Sequence, residues 1–292
     1  MCGSEDNNEI YVEACYDETK LNEFSYASRK FPESMHLRML RCAGCDLLYA
    51  SPAPSSEFLA TAYRDAQYDS DEEAEFASFT YIKHVSRILR RLPDLNGALD
   101  IGTGNGAFLE RLLERGFAEV MGVEPSEVPV GRAKQDIKPL ITLGVFSPEN
   151  YTPGNFSLIT SFQTLEHVDN PKAILAASYS LLKPGGAFVT VSHNYQSLFA
   201  RVLGTRSPIF DVEHLQLFSV KSMRRLLGQV GFSGIIVYPI ANTYPLHYWL
   251  KLLPLNTFIK KQIIVMAKIL RAGYLPLSVR AGNMVAIGFR ET

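Results

Sequence analysis

Cysteine and tryptophan are scarce: 292 residues contain four of the first and one of the second. Four thiols cannot staple a chain of this length, so a disulfide scaffold is excluded and the fold must rest on a buried apolar core. No run of eighteen or more apolar residues occurs, which excludes a membrane-spanning helix. Residues 1–9 are polar and acidic, without the basic start and apolar stretch of a secretory signal, so the expected location is cytoplasmic. Acidic residues are also missing from one long region. Between His214 and Arg290 there is no Asp or Glu against ten Lys or Arg, although the whole chain has a formal net charge of −1. This asymmetry fits a C-terminal part that meets something anionic, or a basic face balanced by acidic neighbours in the fold. There is no internal repeat and no low-complexity tract.

Along the chain, residues 1–56 read as an irregular, Cys-containing segment closed by the turn-forming run Ser51-Pro52-Ala53-Pro54-Ser55-Ser56. Residues 57–92 read as a helical extension. Within it Val85, Ile88 and Leu89 alternate with Arg87, Arg90 and Arg91 at a helical period. From residue 93 to 292 short apolar runs alternate with helical stretches. Strands are predicted at 98–101, 119–123, 140–145, 158–162, 187–192, 235–240 and 284–289, and helices at 106–115, 127–135, 171–182 and 220–230. Such alternation predicts an α/β domain with a mostly parallel sheet covered on both faces. Residues 241–281 break the rhythm as a helical insertion before the last strand, longer than an ordinary connection and so expected to have a structure or task of its own.

The strongest local signal is Leu99-Asp100-Ile101-Gly102-Thr103-Gly104-Asn105-Gly106-Ala107-Phe108-Leu109, in which an apolar strand meets three alternating glycines and then a helix. Glycines allow a tight turn and let the backbone approach a ligand closely, while N–H groups at the helix start can receive its polar groups. Gly102, Gly104 and Ala107 also satisfy the dinucleotide pattern of oxidoreductases, so this loop alone leaves the ligand open. Glu124 follows about twenty residues later at a strand end, where a carboxylate can hold two ribose hydroxyls.

Four segments together resemble the class I S-adenosylmethionine-dependent methyltransferases. Residues 100–106 look like that family's first motif, and Glu124 matches its ribose-binding acid. Phe156-Ser157-Leu158-Ile159-Thr160-Ser161-Phe162-Gln163-Thr164-Leu165-Glu166-His167-Val168 resembles its fourth-strand motif, and Leu181-Leu182-Lys183-Pro184-Gly185-Gly186 the turn before its fifth strand. Ser157 departs from the Asp common in the family. The resemblance implies a Rossmann-like, seven-stranded, doubly wound sheet whose last strand is antiparallel, with S-adenosyl-L-methionine as cofactor. It implies that Gly102, Thr103, Gly104, Asn105 and Gly106 border the cofactor's amino-acid moiety, that Asp100 helps position its ammonium, and that Glu124 holds the ribose. Pro125, Ser126, Gly144 and Val145 would border the adenine, and Phe162 and Gln163 the sulfonium. Phe162 reads equally as a core aromatic, and 183–186 as a purely structural turn.

The acceptor implied is a small molecule or a lipid-linked one, with oxygen the expected site of methylation; no nucleic acid is expected, and nothing in the sequence sets an oligomeric state. The alternatives are a dinucleotide-dependent oxidoreductase and a non-catalytic module of the same fold. Methyl transfer from a sulfonium asks mainly for alignment, plus a base where the acceptor is a hydroxyl. His167 and His214 are the candidate catalytic residues, while His193, Asn194 and Tyr195 are candidate substrate contacts at the carboxyl ends of the strands. Ser219 is the better helix cap near His214. Cys42-Ala43-Gly44-Cys45 resembles half of a zinc ribbon that has lost its other pair. Completion would require Cys2, Cys15 or His36, and no metal is expected. Residues 244–277 mix aromatic and aliphatic residues with five cations and no acid. They read as a lid over the acceptor pocket, as a surface for an anionic membrane presenting a lipid-linked acceptor, or as a hairpin packed on the sheet.

Overall fold

Strand and helix alternate as their apolar patterns dictate. The computed structural model of the protein describes residues 8–22, 24–26, 35–68, 70–253 and 255–291. It begins with β1 (Glu9–Val12), β2 (Met39–Arg41), β3 (Leu48–Ala50), α1 (Ser56–Asp65) and α2 (Asp71–Val85). The alternating part follows: β4 (Ala98–Ile101), α3 (Ala107–Glu114), β5 (Val120–Glu124), α4 (Glu127–Arg132), β6 (Ile141–Leu143), β7 (Phe156–Phe162), α5 (Pro171–Leu181) and β8 (Leu182–His193). Then come α6 (Leu198–Leu203), β9 (Gln216–Leu217), α7 (Val220–Val230), β10 (Ser233–Pro239), β11 (Asn242–Pro245), α8 (Leu246–Lys251), α9 (Thr257–Ile269), β12 (Pro276–Val279) and β13 (Asn283–Phe289).

The main sheet has seven strands in the order β10-β13-β8-β7-β4-β5-β6. β4, β5, β6, β7 and β8 pair in parallel, and β13 lies antiparallel between β8 and β10. This is the Rossmann-like sheet with a reversed last strand. Successive residues of a strand point to opposite faces, and the core divides accordingly. Ala98, Leu158, Val189 and Val285 pack under α2 and α3. Leu99, Ile159, Phe188 and Met284 pack under α5 and α7. Local chemistry sets the helix ends. Asn170 caps α5 with Pro171 in its first turn, Ser219 caps α7 through a capping box with Ser222, and Gly231 ends α7 at φ +107°.

Four features differ from the sequence expectation. The stretch 86–92 tightens into a single 3-10 turn at Leu89–Arg91, because Pro93 holds Leu92 extended. Residues 183–186 form a bulge inside β8: Leu182 pairs with Phe156 and Ala187 already with Leu158. The N-terminal segment is not irregular, since β1, β2, β3 and β9 make a second, antiparallel sheet. The insertion stands on a two-stranded stem, β11 with β12, carrying α8 and α9.

Cys42 and Cys45 are buried between β2 and β3 among Leu47 and Leu165. Cys15 exchanges backbone hydrogen bonds with His36, and Cys2 lies outside the described residues. Among the described residues no helix is long and apolar enough to cross a membrane.

The structure also accounts for Ser157. Its hydroxyl donates to Asp94, and Lys183 Nζ reaches Asp94 Oδ1 at 2.9 Å and the Asn96 carbonyl at 2.7 Å. A carboxylate from the preceding loop thus meets the lysine in the bulge. Ser157 and then Lys183 hold the Asp94 carboxyl down at about 2. Its contribution to stability is therefore present above the unfolded carboxylate range and lost as pH falls through the folded value. The pair is partly exposed, so Asp94→Ala is expected to cost only about 1 kcal/mol in urea unfolding at neutral pH. The difference from the parent should vanish near pH 2; a difference unchanged by acid would contradict the assignment.

Candidate functional site

At the carboxyl ends of β4, β5 and β7 the structure opens into a cavity of about 330 Å³, roofed by α1 and α2. The glycine loop forms its floor. A Cβ at Gly102 would lie 2.4 Å from Thr164 Oγ1, so the loop can approach β7 only without a side chain there, whereas nothing lies within 4 Å of the Cβ position of Gly104. Gly104 thus presents bare backbone at the cavity. Glu124 ties the floor together: Oε2 accepts the Gly104 N–H at 2.9 Å and Oε1 the Ser126 N–H at 3.0 Å. Asp100 lies behind, its Oδ1 accepting from Thr160 at 2.6 Å. Asn105 donates to Asp71 Oδ1 at 2.9 Å and so joins the loop to α2.

Burial raises both acids, Asp100 to about 6 and Glu124 to about 7, with a smaller contribution to the latter from Asp100 itself. In the wall, Ser126 Oγ and Gln163 Nε2 are buried and have no partner among the described residues. Gln163 is also one of few non-glycine residues at positive φ (+55°). Backbone held in this region costs about a kilocalorie per mole or more, and such strain persists where the surroundings impose it. The bare glycine backbone, the ribose-spaced acid and the two waiting polar atoms fit a nucleoside with a charged amino-acid arm.

Asp100, Gly102, Thr103, Gly104, Asn105, Glu124, Pro125, Ser126, Val145, Phe162 and Gln163 all border this cavity. Phe162 does so from a stack, with Tyr81 at 4.5 Å and Phe108 at 4.6 Å between ring centroids. Gly106 and Gly144 do not border it. Gly106 caps α3, where a Cβ would meet Ile137 at 2.5 Å, and Gly144 donates its N–H to the Glu124 carbonyl.

A second cavity of about 120 Å³ adjoins, sharing Gln163, His167 and Glu213 with the first. Three histidines gather there. The ring of His214 lies 4.8 Å from that of His167 and 5.0 Å from that of His193. Each is oriented through Nδ1: His214 toward the Ile209 carbonyl at 2.8 Å, His193 toward Asn283 Oδ1 at 2.8 Å, and His167 toward the Tyr63 hydroxyl at 3.1 Å. Tyr244, Tyr248, Trp249 and Leu252 of the insertion close the far wall. Neither Tyr195 nor Asn194 borders either cavity. Tyr195 is buried against the N-terminal sheet, its hydroxyl donating to the Asp46 carbonyl, and Asn194 serves the turn after β8 by accepting from the Gln196 N–H. Sequence reading missed Tyr63, Tyr81 and Glu213, because nothing in a helical period or a loop says which residue will face a cavity built by distant segments.

A family profile described as "Methyltransferase domain" matches residues 68–236. The ubiquinone biosynthesis O-methyltransferase of Azoarcus sp. (strain BH72) is 29% identical over 166 residues, covering 51% of this chain and 71% of that protein. The protein of the same name from Vibrio atlanticus (strain LGP32) is 26% identical over 197 residues, covering 60% and 83%. The fold is similar to phosphoethanolamine N-methyltransferase 2 of Haemonchus contortus in complex with S-adenosyl-L-methionine, at TM-score 0.51 and 15% identity over 84% of this chain and 62% of that one. It is similar also to a SAM-dependent methyltransferase from Archaeoglobus fulgidus, at TM-score 0.50 and 17% identity over 80% and 100%.

The two raised acids set a pH dependence. A ligand that donates hydrogen bonds or brings a positive charge favours their ionised forms, so affinity for S-adenosylhomocysteine should rise with pH through 6 to 7, falling about tenfold per unit between the two values and toward about a hundredfold per unit below the lower. The unliganded protein responds with the opposite sign: acids raised above their unfolded values lend stability as pH falls toward the unfolded range. Glu124→Gln is expected to lose about 1.5–3 kcal/mol of binding, roughly 10- to 150-fold, and to leave only the lower, Asp100 step. Calorimetric titration across pH checks both, and an unaltered profile in Glu124→Gln would refute the assignment.

Proposed function

Because this chain belongs to the methyltransferase-domain family and takes S-adenosylmethionine as its cofactor, we propose that it methylates an oxygen of a small or lipid-linked acceptor held in the second cavity. Family membership decides against the dinucleotide oxidoreductase that the glycine loop alone left open. The observation that carries the reading is the histidine cluster on the boundary of the two cavities. Both curated relatives named above are O-methyltransferases, which supports oxygen as the atom methylated.

When bound, the cofactor supplies an already activated methyl group. The protein's part is to align, to exclude water and to take a proton. Glu124 and the glycine loop fix the nucleoside and Asp100 the ammonium. Phe162 and Gln163 stand where the two cavities meet. In front of them an imidazole of the His167–His193–His214 group accepts the proton of the acceptor hydroxyl as its oxygen attacks. The aromatic wall of Tyr244, Tyr248 and Trp249 suits a flat, apolar ring.

The insertion bears on how the acceptor arrives. None of residues 258–269 of α9 is buried; Phe258 is 71% exposed and Ile269 69% exposed. Lys260, Lys261, Lys268 and Arg271 accompany this apolar surface, and no acid lies between His214 and Arg290. An amphipathic helix with this charge fits an anionic bilayer surface, with its apolar side chains at the acyl boundary. A lipid-linked acceptor could then enter directly behind Trp249.

With labelled cofactor and a panel of phenolic and amine acceptors, transfer should occur to phenolic oxygen. His214→Ala should lower kcat by about 10²- to 10⁴-fold while leaving S-adenosylhomocysteine affinity within a few-fold, since His214 lies outside the cofactor cavity. Transfer confined to amines would refute the oxygen reading. In flotation assays the protein should bind phosphatidylglycerol-containing vesicles and not phosphatidylcholine vesicles. Replacing Lys260, Lys261, Lys268 and Arg271 by Glu should abolish binding; binding that survives this change would exclude the docking.

A further inference from the structure

We propose that His167, Glu213 and His214 bind a divalent transition-metal ion at the boundary of the two cavities. One ligand atom from each lies within 4.8 Å of the others, and among the described residues no other three His, Cys, Asp or Glu side chains are grouped in this way. Two imidazoles and a carboxylate, with further positions open to a cavity, are a donor set of zinc and non-haem iron sites. Calcium and magnesium prefer oxygen donors throughout. Ligand atoms about 2.1 Å from one ion stand roughly 3.4 Å apart, so loading asks for side-chain shifts of about an ångström.

The rings are prepared as metal ligands are. The Nδ1–H of His214 donates to the Ile209 carbonyl at 2.8 Å, which assigns its lone pair to Nε2. His167 Nδ1 lies 3.1 Å from the Tyr63 hydroxyl and 3.2 Å from the Glu213 carbonyl oxygen. An imidazole fixed by a backbone carbonyl through one nitrogen is the usual outer support of a metal-binding histidine. The charge also fits. Asp211, Glu213 and Glu166 are buried here, and no lysine or arginine lines either cavity. A cation would neutralise this field.

The consequence for catalysis rests on the methyl-transfer reading. An ion held there would meet the acceptor oxygen and lower the pKa of its hydroxyl. The proton would pass to His193, which lies outside the ligand trio. The oxygen's electron pair would form the new O–CH₃ bond while the S–CH₃ bond breaks and its pair stays on sulfur.

The test does not depend on turnover. Metal-stripped protein titrated with Co²⁺ should develop visible ligand-field bands that saturate at one equivalent, that Zn²⁺ removes and that Mg²⁺ does not. Glu213→Gln and His214→Ala should each weaken Co²⁺ binding by about a hundredfold while still binding S-adenosylhomocysteine, and His193→Ala should keep the bands. X-ray absorption of the cobalt-loaded parent protein, which needs no variant, should show two imidazoles in the coordination sphere. Absence of bands at one equivalent, their survival in the Glu213→Gln/His214→Ala double variant, or a sphere without imidazole would each overturn the site. A protein that binds cobalt but methylates no oxygen acceptor would lose the proposed function and keep the metal; one that methylates oxygen without cobalt uptake would do the reverse.

Discussion

A single carboxylate organises the carboxyl end of the sheet. Glu124 ends β5, yet its two oxygens are taken by the N–H of Gly104, in the loop after β4, and of Ser126, at the start of α4. Two neighbouring crossovers are thereby held at a fixed distance around an acid buried enough to stand at about 7. Keeping an acid there without a cation beside it is costly. The backbone donors offset part of that cost, and a ligand supplying further donors offsets more. The glycine loop and the cavity floor take their positions from this contact, while the second acid, Asp100, is held by Thr160.

Around that centre the chain recruits its two extremities. The helices before β4 roof the first cavity, and the insertion before β13 walls the second. Tyr63 of α1 reaches the ring of His167, and Trp249 of α8 donates to the Leu277 carbonyl to brace the stem. On the proposed function, the chemistry sits in the shared sheet, while selection of the acceptor falls to segments that this fold can vary without disturbing the sheet.

What the sequence made legible follows from how local each signal is. β4 and α7 stand where apolar period and caps put them, because Ala98-Leu99-Asp100-Ile101 and the Ser219–Ser222 box are decided by adjacent residues. The glycine loop with Glu124 was legible for the same reason. Gly106 was assigned to the ligand because its spacing matches the motif; that it packs on Ile137 depends on a loop thirty residues away. The N-terminal strands were invisible because runs of three or four residues carry no period, and their partner β9 comes from the far side of the domain. Likewise the three histidines were expected together at the carboxyl ends of the strands, but the closeness of their rings is a property of strand order and could not be read from spacing.

The pairing of β3 with β9 has an effect on biogenesis. Leu48 and Tyr49 leave the ribosome long before Leu217 and Gln216, with which they pair, so β3 waits as an open edge through most of synthesis. Closing that edge draws in the segment just after His214: the Ala50 N–H grips the Leu215 carbonyl at 2.7 Å, and Glu166 holds the Leu215 N–H from the other side. The last event in assembling the small sheet is therefore also the one that seats the histidine, and the wall that His214 gives the second cavity is set only when β3 has found β9.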